Sequence, residues 1–166
     1  MTTDYTTHDN VAVLTLNNPP VNGLGLATRV ALAAGLDRAL ADPAIAAIVV
    51  NGSGKSFCGG ADIREFGKPT ALAEPNLLSL IRMLEACPKP VVAALHSVVM
   101  GGGLELATST HVRVADKSAF FQLPEGQRGI FVGGSGSARI PRLMGVSRMT
   151  DMMLTGRVYN AVDGER

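Results

Sequence analysis

The chain has 166 residues, enough for one domain with a sizeable core, and 46% of them are hydrophobic while 17% are charged. Its net charge of +1 gives no electrostatic case for a nucleic acid or a membrane surface as a partner. With no Trp and only 4% aromatic residues, a platform for stacking bases is not expected either.

Hydrophobic periodicity predicts strands that alternate with helices along a single domain covering residues 1–166. Apolar runs predict strands at residues 11–16, 45–50, 91–95, 112–115 and 119–121. Helical spacing predicts helices at 28–40, 74–86, 104–107, 138–144, 147–154 and from 160 to the last residue. Glycine-rich loops are predicted at 51–60 and 133–136. The alternation indicates the α/β class with substantial parallel pairing.

The stretch from His96 to Glu125 carries the chemistry-bearing pattern. Three glycines, Gly101 to Gly103, precede a short helical segment that contains Glu105 between two leucines, and Glu125 follows a second apolar run. Glycines let a backbone approach a ligand closely, and the unpaired N–H groups of a helix start attract negative charge. Spacing alone leaves open a plainer interpretation, a tight turn before a core helix with Glu105 facing solvent.

A second glycine pair, Gly59-Gly60, precedes the small residue Ala61. Its backbone could bring a second N–H group to the same ligand, and two N–H groups from separate segments make an oxyanion hole.

Other motifs fail on spacing. A phosphate-binding loop ending at Ser56 would need glycine where Val49 stands, and a dinucleotide fingerprint would need glycine at Leu106. The three histidines are scattered, so no metal site is predicted. The two cysteines, Cys58 and Cys87, form no C-x-x-C motif and suit a reducing compartment. The polar N-terminus is no signal peptide and no apolar run reaches membrane-spanning length, so the expected location is cytoplasmic.

Taken together, these motifs resemble the crotonase (enoyl-CoA hydratase/isomerase) family, and the likeness covers nearly the whole chain. The matching pieces, in order, are Asn18-Pro19-Pro20-Val21-Asn22, Phe57-Cys58-Gly59-Gly60-Ala61-Asp62-Ile63, Lys89-Pro90-Val91-Val92-Ala93-Ala94, Gly101-Gly102-Gly103-Leu104-Glu105-Leu106-Ala107, Leu123-Pro124-Glu125, Pro141-Arg142-Leu143 and Leu154-Thr155-Gly156.

The resemblance implies the crotonase spiral of repeated β-β-α turns and an acyl-CoA thioester as ligand. It places the thioester oxygen on the backbone N–H groups of Ala61 and Gly102, and makes Glu105 and Glu125 the catalytic pair. It implies substrate contacts from Ala61, Asp62, Ile63, Gly101 and Gly103, with the CoA adenine end near the first three. Family members typically form trimers or dimers of trimers.

The implied activity is that of an enoyl-CoA hydratase, a lyase that adds water to a 2-enoyl thioester. We hypothesise that Glu105 deprotonates the water while Glu125 supplies a proton to C2. No metal or redox cofactor is needed, and CoA is part of the substrate. An enoyl-CoA isomerase of the same family is the alternative, since shifting a double bond need not use Glu105. A non-catalytic crotonase-fold module that binds acyl-CoA or a partner subunit is a second.

The sequence departs from the usual family pattern at three places, Ser97, Thr110-His111 and Gln122. These positions surround the site, so substrate preference is open. Family members usually also continue beyond this length, with C-terminal helices that close the acyl pocket and build the trimer. We therefore expect those helices to be missing from the 166 residues and an apolar surface to be exposed where they would pack.

Overall fold

The computed structural model describes residues 2–165. Within that range the chain forms nine strands, six α-helices and three short 3₁₀ turns. They are β1 (Thr3–His8), β2 (Val11–Leu16), α1 (Leu26–Ala41), β3 (Ala47–Gly52), β4 (Ser56–Cys58), α2 (Leu77–Glu85), β5 (Val91–Leu95), β6 (Val98–Met100), α3 (Gly102–Thr108), β7 (Val112–Ala115), β8 (Phe120–Gln122), α4 (Gly136–Met144), α5 (Val146–Thr155), β9 (Tyr159–Asn160) and α6 (Ala161–Glu165). The 3₁₀ turns are Ile63–Glu65, Pro69–Ala71 and Gly126–Arg128.

The strands form two sheets that the chain visits in turn. The first has the order β1-β2-β3-β5-β7 and the second β4-β6-β8-β9. The pairs β1–β2 and β8–β9 are antiparallel, and the other pairs are parallel. Three times in succession the chain gives one strand to each sheet and then forms a helix, as β3-β4-α2, β5-β6-α3 and β7-β8-α4. This is the predicted spiral of β-β-α turns, and the α/β prediction is confirmed.

Alternation along the strands of the first sheet places one face in the core. Leu14 and Leu16 of β2 and Ile48 and Val50 of β3 are fully buried, while the residues between them are only partly covered. A strand turns successive side chains to opposite faces, so this pattern marks the side on which α1 packs. Gly35 allows the close approach of α1, because a Cβ there would lie 2.7 Å from Leu14 Cδ2.

Four strands, β1, β4, β6 and β9, were not predicted from the sequence. β1 is polar and lies at a sheet edge, β4 falls inside the predicted loop 51–60, β6 has only three residues and β9 only two. Such short or polar segments carry no clear alternation, and they become strands only because a neighbour offers a hydrogen-bonding edge. All the predicted strands and helices are present: the strands 11–16, 91–95 and 112–115 have the predicted ends, and the ends of the other elements differ by at most three residues.

The last third of the chain exposes large apolar side chains. Among residues 2–165, those on or next to α4, α5 and α6 with more than half of the side chain exposed are Phe131, Leu143, Val146, Leu154, Val158 and Val162. We refer to these six residues as the apolar face. No helix within the described range combines the length and the apolar character that crossing a membrane requires.

Candidate active site

The parallel strands β4, β6 and β8 are neighbours and end at the same edge of the second sheet, and each is followed by a segment that contains predicted site residues. β4 pairs with β6 and β6 with β8, all in the same direction. Their C-terminal ends are followed by Gly59 to Ala61, Gly101 to Glu105 and Leu123 to Glu125. Because the carboxyl ends of adjacent parallel strands meet at one sheet edge, segments distant in sequence become neighbours there. A hydrogen bond of 2.9 Å from Gly101 N–H to the Gln122 carbonyl joins two of them.

The first two segments touch through glycine backbone. Gly60 has φ +97°, and a Cβ there would lie 2.9 Å from the Met100 carbonyl oxygen and 3.0 Å from the Gly102 nitrogen. A Cβ on Gly102 would lie 3.4 Å from the Ala61 nitrogen. The positive φ and the close approach both require glycine. The two nitrogens assigned to an oxyanion hole are thus brought side by side.

The N–H groups of Ala61 and Gly102 have no hydrogen-bond acceptor among residues 2–165. Gly102 is the first residue of α3, where helical geometry leaves N–H groups unpaired. Ala61 is exposed whereas Gly102 is buried, so the pair lies at the boundary between solvent and core. Unpaired donors in such a position can bind a negatively charged oxygen.

Glu105 lies on α3 and is only 3% exposed, so the alternative in which it faces solvent is wrong. Its Oε1 accepts a hydrogen bond of 2.8 Å from the Gly136 N–H group at the start of α4. A Cβ on Gly134 would lie 2.8 Å from Glu105 Oε2, so the neighbouring backbone is equally close. The carboxyl group therefore lies at the N-terminus of a nine-residue helix, where the helix dipole favours negative charge.

Glu125 is 8% exposed and lies against the turn before α3. A Cβ on Gly101, whose φ is +53°, would lie 2.7 Å from Glu125 Oε1. Its Oε2 is buried and has no hydrogen-bond partner within the described range. A buried carboxyl oxygen without a partner is costly to retain, which makes it a candidate for contact with a ligand or water.

Burial disfavours the charged form of both carboxyl groups. It raises the pKa of Glu105 to about 7; the Gly136 N–H group opposes this rise and the nearby charge of Glu125 adds to it. Burial likewise raises the pKa of Glu125, opposed by its own backbone N–H group and by Arg128. Two carboxyl groups that influence one another and titrate upward are suited to accept and donate protons near neutral pH.

The other predicted substrate residues lie around this centre. Asp62 is paired with Arg64 at 2.7 Å, and this hydrogen bond lowers the pKa of the Asp62 carboxyl group. Ile63 is 66% exposed. Gly103 packs α3 onto β4, since a Cβ there would lie 2.8 Å from Cys58 Cβ. That contact explains Gly103 by packing, and its role in substrate binding stays a prediction.

Sequence reasoning missed the segment that holds Glu105. Residues 133–136 were predicted only as a glycine-rich loop, yet Gly134 and Gly136 adjoin the Glu105 carboxyl group. The available signal was glycine just before a helix, the same pattern that drew attention to Gly101. Leu77, the first residue of α2, was also missed: its Cδ2 would lie 3.1 Å from a Cβ on Gly102 and 2.7 Å from one on Gly134.

Asn22 fixes the segment from which Ala61 emerges. It is 1% exposed, and its Nδ2 donates to the carbonyls of Ser53, Ser56 and Phe57 at 2.7–3.3 Å. Beside it, Gly59 N–H donates to the Val21 carbonyl and Leu24 N–H to the Gly60 carbonyl. The Gly59-Gly60 backbone is therefore held on both sides.

Two of the departures from the family pattern, Gln122 and His111, make hydrogen bonds to the backbone. The Gln122 amide donates to the Gly156 carbonyl at 2.8 Å, and His111 Nδ1 accepts the Val91 N–H group at 2.9 Å. Neither side chain contacts Glu105 or Glu125 by hydrogen bonding. Among residues 2–165, no cluster of three or more His, Cys, Asp or Glu side chains could hold a metal ion.

Glu105 should destabilise the fold at neutral and higher pH. Its raised pKa means that the folded chain binds more protons than the unfolded chain between about pH 4.5 and 7, so stability falls as pH rises through that window. Glu105→Gln keeps an acceptor for Gly136 without the charge. It should be more stable than the parent by about 3 kcal/mol above pH 7, and the gain should vanish near pH 4. Urea unfolding at both pH values measures this.

The exposed Asp37→Asn is the matched control for that measurement and should shift neither midpoint. An equal gain in the free energy of unfolding for Glu105→Gln at both pH values would contradict the assignment of the effect to the carboxyl charge.

Comparison with known proteins identifies relatives of this chain. The chain matches the family model described as enoyl-CoA hydratase/isomerase over residues 6–166. It is 46% identical over 152 residues to a peroxisomal bifunctional enzyme of Danio rerio, covering 92% of this chain and 21% of that protein. It is 38% identical over 151 residues to a protein of Bacillus subtilis named "Probable enoyl-CoA hydratase", covering 88% of this chain and 58% of that protein.

Solved structures agree with the fold. An enoyl-CoA hydratase from Bacillus anthracis superposes with a TM-score of 0.91 at 28% identity, covering 99% of this chain and 67% of that one. The chain spans between a fifth and three fifths of the length of the two relatives described above. On the match over residues 6–166 and the shared fold, the chain belongs to the enoyl-CoA hydratase/isomerase (crotonase) family.

Proposed function

We propose that this chain adds water across the double bond of a 2-enoyl-CoA thioester. The observation that carries the proposal is the meeting of two buried carboxyl groups, Glu105 and Glu125, with the unpaired N–H groups of Ala61 and Gly102 at one sheet edge. The names of the related proteins, enoyl-CoA hydratase and peroxisomal bifunctional enzyme, support the same reaction.

Attack of water at C3 moves electron density through C2 onto the thioester oxygen. The N–H groups of Ala61 and Gly102 donate to no other group among residues 2–165, so they are free to donate to this oxygen. One such donor stabilises a transition state by roughly 3 kcal/mol in other enzymes. A fixed backbone serves this role well because it needs no reorganisation as charge develops.

The carboxyl pair completes the addition. In this proposal Glu105 takes a proton from water while the water oxygen bonds to C3, and Glu125 gives a proton to C2 as the enolate collapses. A pKa of about 7 for Glu105 supports its role as a base near neutral pH. The product then leaves one carboxyl group protonated and the other ionised, and a proton must return to Glu125 before the next cycle. Acid–base chemistry suffices, so the proposal includes no metal or redox cofactor, and CoA enters as part of the substrate.

The test is hydration of crotonyl-CoA, followed by the loss of enoyl absorbance. Glu105→Gln and Glu125→Gln should each lower kcat by about 10²–10⁴-fold, because general acid–base catalysis contributes about that much. The exposed Asp37→Asn is the control and should keep the parent's rate. Retained hydration in both glutamine variants would contradict the proposed roles.

The same assay separates the alternatives. Faster isomerisation of a 3-enoyl-CoA than hydration of a 2-enoyl-CoA by the parent would favour the isomerase. Binding of both thioesters without turnover would favour a non-catalytic acyl-CoA-binding module.

We propose further that the protein assembles as a homotrimer or a dimer of trimers. The apolar face supports this, since exposed apolar patches mark surfaces that become covered. A groove lined mainly by apolar side chains, among them Phe131, Pro141, Val146, Met149 and Met153, adjoins this face. Light scattering coupled to size exclusion should give a trimeric or hexameric mass for the parent. Replacing Phe131 and Val146 together by Asp should lower that mass, with the exposed Val112→Asp as control. A monomeric parent would refute the proposal.

For location we propose the cytoplasm, supported by two free cysteines, both buried. Several relatives are named as peroxisomal or glyoxysomal, which makes an organelle the alternative. Fractionation of the source cells with antibody detection should place the protein with soluble cytoplasmic markers, and recovery in an organelle fraction would overturn this.

A further inference from the structure

One buried arginine has no part in the chemistry described above. Arg29 is the fourth residue of α1 and is 4% exposed. A guanidinium group has five N–H donors, and here each has an acceptor. The acceptors are the carbonyls of Leu24, Thr70, Ala73 and Pro75 and the Glu65 carboxylate, at 2.7–3.3 Å. A buried charge bound this completely organises the segments that supply its partners.

Four of those five acceptors belong to one loop. Residues 62–76 run between β4 and α2 without a strand or α-helix of their own, apart from two 3₁₀ turns. Arg29 binds the loop at Glu65, at Thr70 and again at Ala73 and Pro75. A loop this long gains order mainly from such external contacts, because its backbone makes few regular hydrogen bonds.

Glu65 also holds the same loop to the start of α1. Its Oε1 accepts the Leu26 N–H group at 2.9 Å, at the start of α1, while its Oε2 faces Arg29. Gly25, the residue before α1, makes no side-chain cap, so Glu65 serves as the carboxylate at that helix start. A Cβ on Gly25 would lie 3.2 Å from Glu65 Oε1, so the loop is packed closely on α1.

Both ends of this loop lie at the candidate active site. It begins directly after Ala61, whose N–H group is one of the two unpaired donors. It ends at Asn76, which caps α2, and the next residue, Leu77, reaches between Gly102 and Gly134. The position of the loop therefore sets the wall that a ligand on Ala61 and Gly102 would meet.

We propose that Arg29 is a positioning residue for thioester binding, which it promotes by holding the 62–76 loop in the conformation that binds the ligand. The proposal rests on the function proposed above. It predicts that KM changes more than kcat, because Gly59 and Gly60 are held separately by Val21 and Leu24. Loosening the loop should weaken binding while leaving the oxyanion donors in place.

The first test is steady-state hydration of crotonyl-CoA by the full chain. In Arg29→Met and Arg29→Lys, KM should rise about tenfold while kcat stays within about twofold of the parent. A tenfold rise is expected if the released loop holds the binding conformation about one tenth of the time. Lysine should not rescue, because its three donors and point charge cannot reproduce the fork of five. The matched control is Arg38→Met. Arg38 is an exposed arginine on the same helix whose Cζ lies 3.9 Å from the centre of the Tyr5 ring, and its replacement should change neither KM nor kcat.

For a second variant, Asn22→Gly, we expect the opposite result, a larger change in kcat than in KM. Asn22→Gly removes the three side-chain hydrogen bonds behind the Gly59-Gly60 backbone while tolerating the φ of +53° at that position. It should lower kcat more than it raises KM. If Arg29→Met and Asn22→Gly changed KM and kcat in the same proportion, a specific role for Arg29 in positioning the loop would be refuted.

The second test does not depend on turnover. Hydrogen exchange of the ligand-free chain should be faster in residues 62–76 of Arg29→Met than in the parent, with the strands of the first sheet unchanged. Binding of butyryl-CoA, a saturated thioester, should weaken about tenfold by calorimetry. Should the Arg29 variants fail to fold, Glu65→Gln is the milder probe: it retains an acceptor for Leu26 and should shift exchange and affinity in the same direction.

The outcomes separate the two proposals. A parent that binds butyryl-CoA without hydrating crotonyl-CoA overturns the hydratase proposal alone. Unchanged loop exchange or unchanged butyryl-CoA affinity in Arg29→Met, or in Glu65→Gln where it is the folded variant, overturns the positioning proposal alone. A parent that binds no thioester overturns both.

Discussion

The parallel pairing of β4, β6 and β8 is the interaction on which the rest of the site depends. Each strand is only three residues long, yet together they bring Ala61, Gly102 and Glu125 to one sheet edge, although the first and the last of these are more than sixty residues apart in the chain. Backbone hydrogen bonds between strands fix these relative positions more firmly than flexible side chains could. The glycines that follow β4 and β6 then remove the Cβ atoms that would keep the segments apart.

The carboxyl groups at this edge are retained at an energetic cost. Burying a carboxylate is unfavourable unless hydrogen bonds or charges compensate, and for Glu105 the compensation comes from the start of α4. That compensation is partial, since burial still raises the pKa of Glu105 to about 7. The Glu125 carboxyl group has fewer compensating hydrogen bonds, since its Oε2 has no partner within the described range. Such incompletely compensated groups are typical of sites where protons are exchanged.

Two buried polar side chains hold the surroundings of this edge in different ways. Asn22 anchors the backbone on which Ala61 depends, and Arg29 gathers the loop that follows Ala61 against α1. Both donate mainly to backbone carbonyl oxygens, Asn22 to those at and just before β4 and Arg29 to those of the 62–76 loop and Leu24. The 62–76 loop has neither sheet nor α-helix to order it, so the contacts of Arg29 oppose the entropic cost of ordering it.

The sequence by itself determined the α/β class, most of the helices and strands, and the identity of the residues at the sheet edge. Apolar periodicity and paired glycines are local signals that can be read from one sequence. The strand 91–95 and the glycine run before Glu105 could therefore be predicted directly. The resemblance to a family supplied the spiral and the grouping of Glu105 with Glu125. Only the tertiary structure decided that Glu105 is buried rather than exposed and that α4 supplies its hydrogen bond. It alone assigned strands to the short segments β4 and β6, and it alone brought Arg29 to a loop more than thirty residues away. Those features depend on which segments become neighbours, and the energy of such contacts is absent from local sequence until the chain is packed.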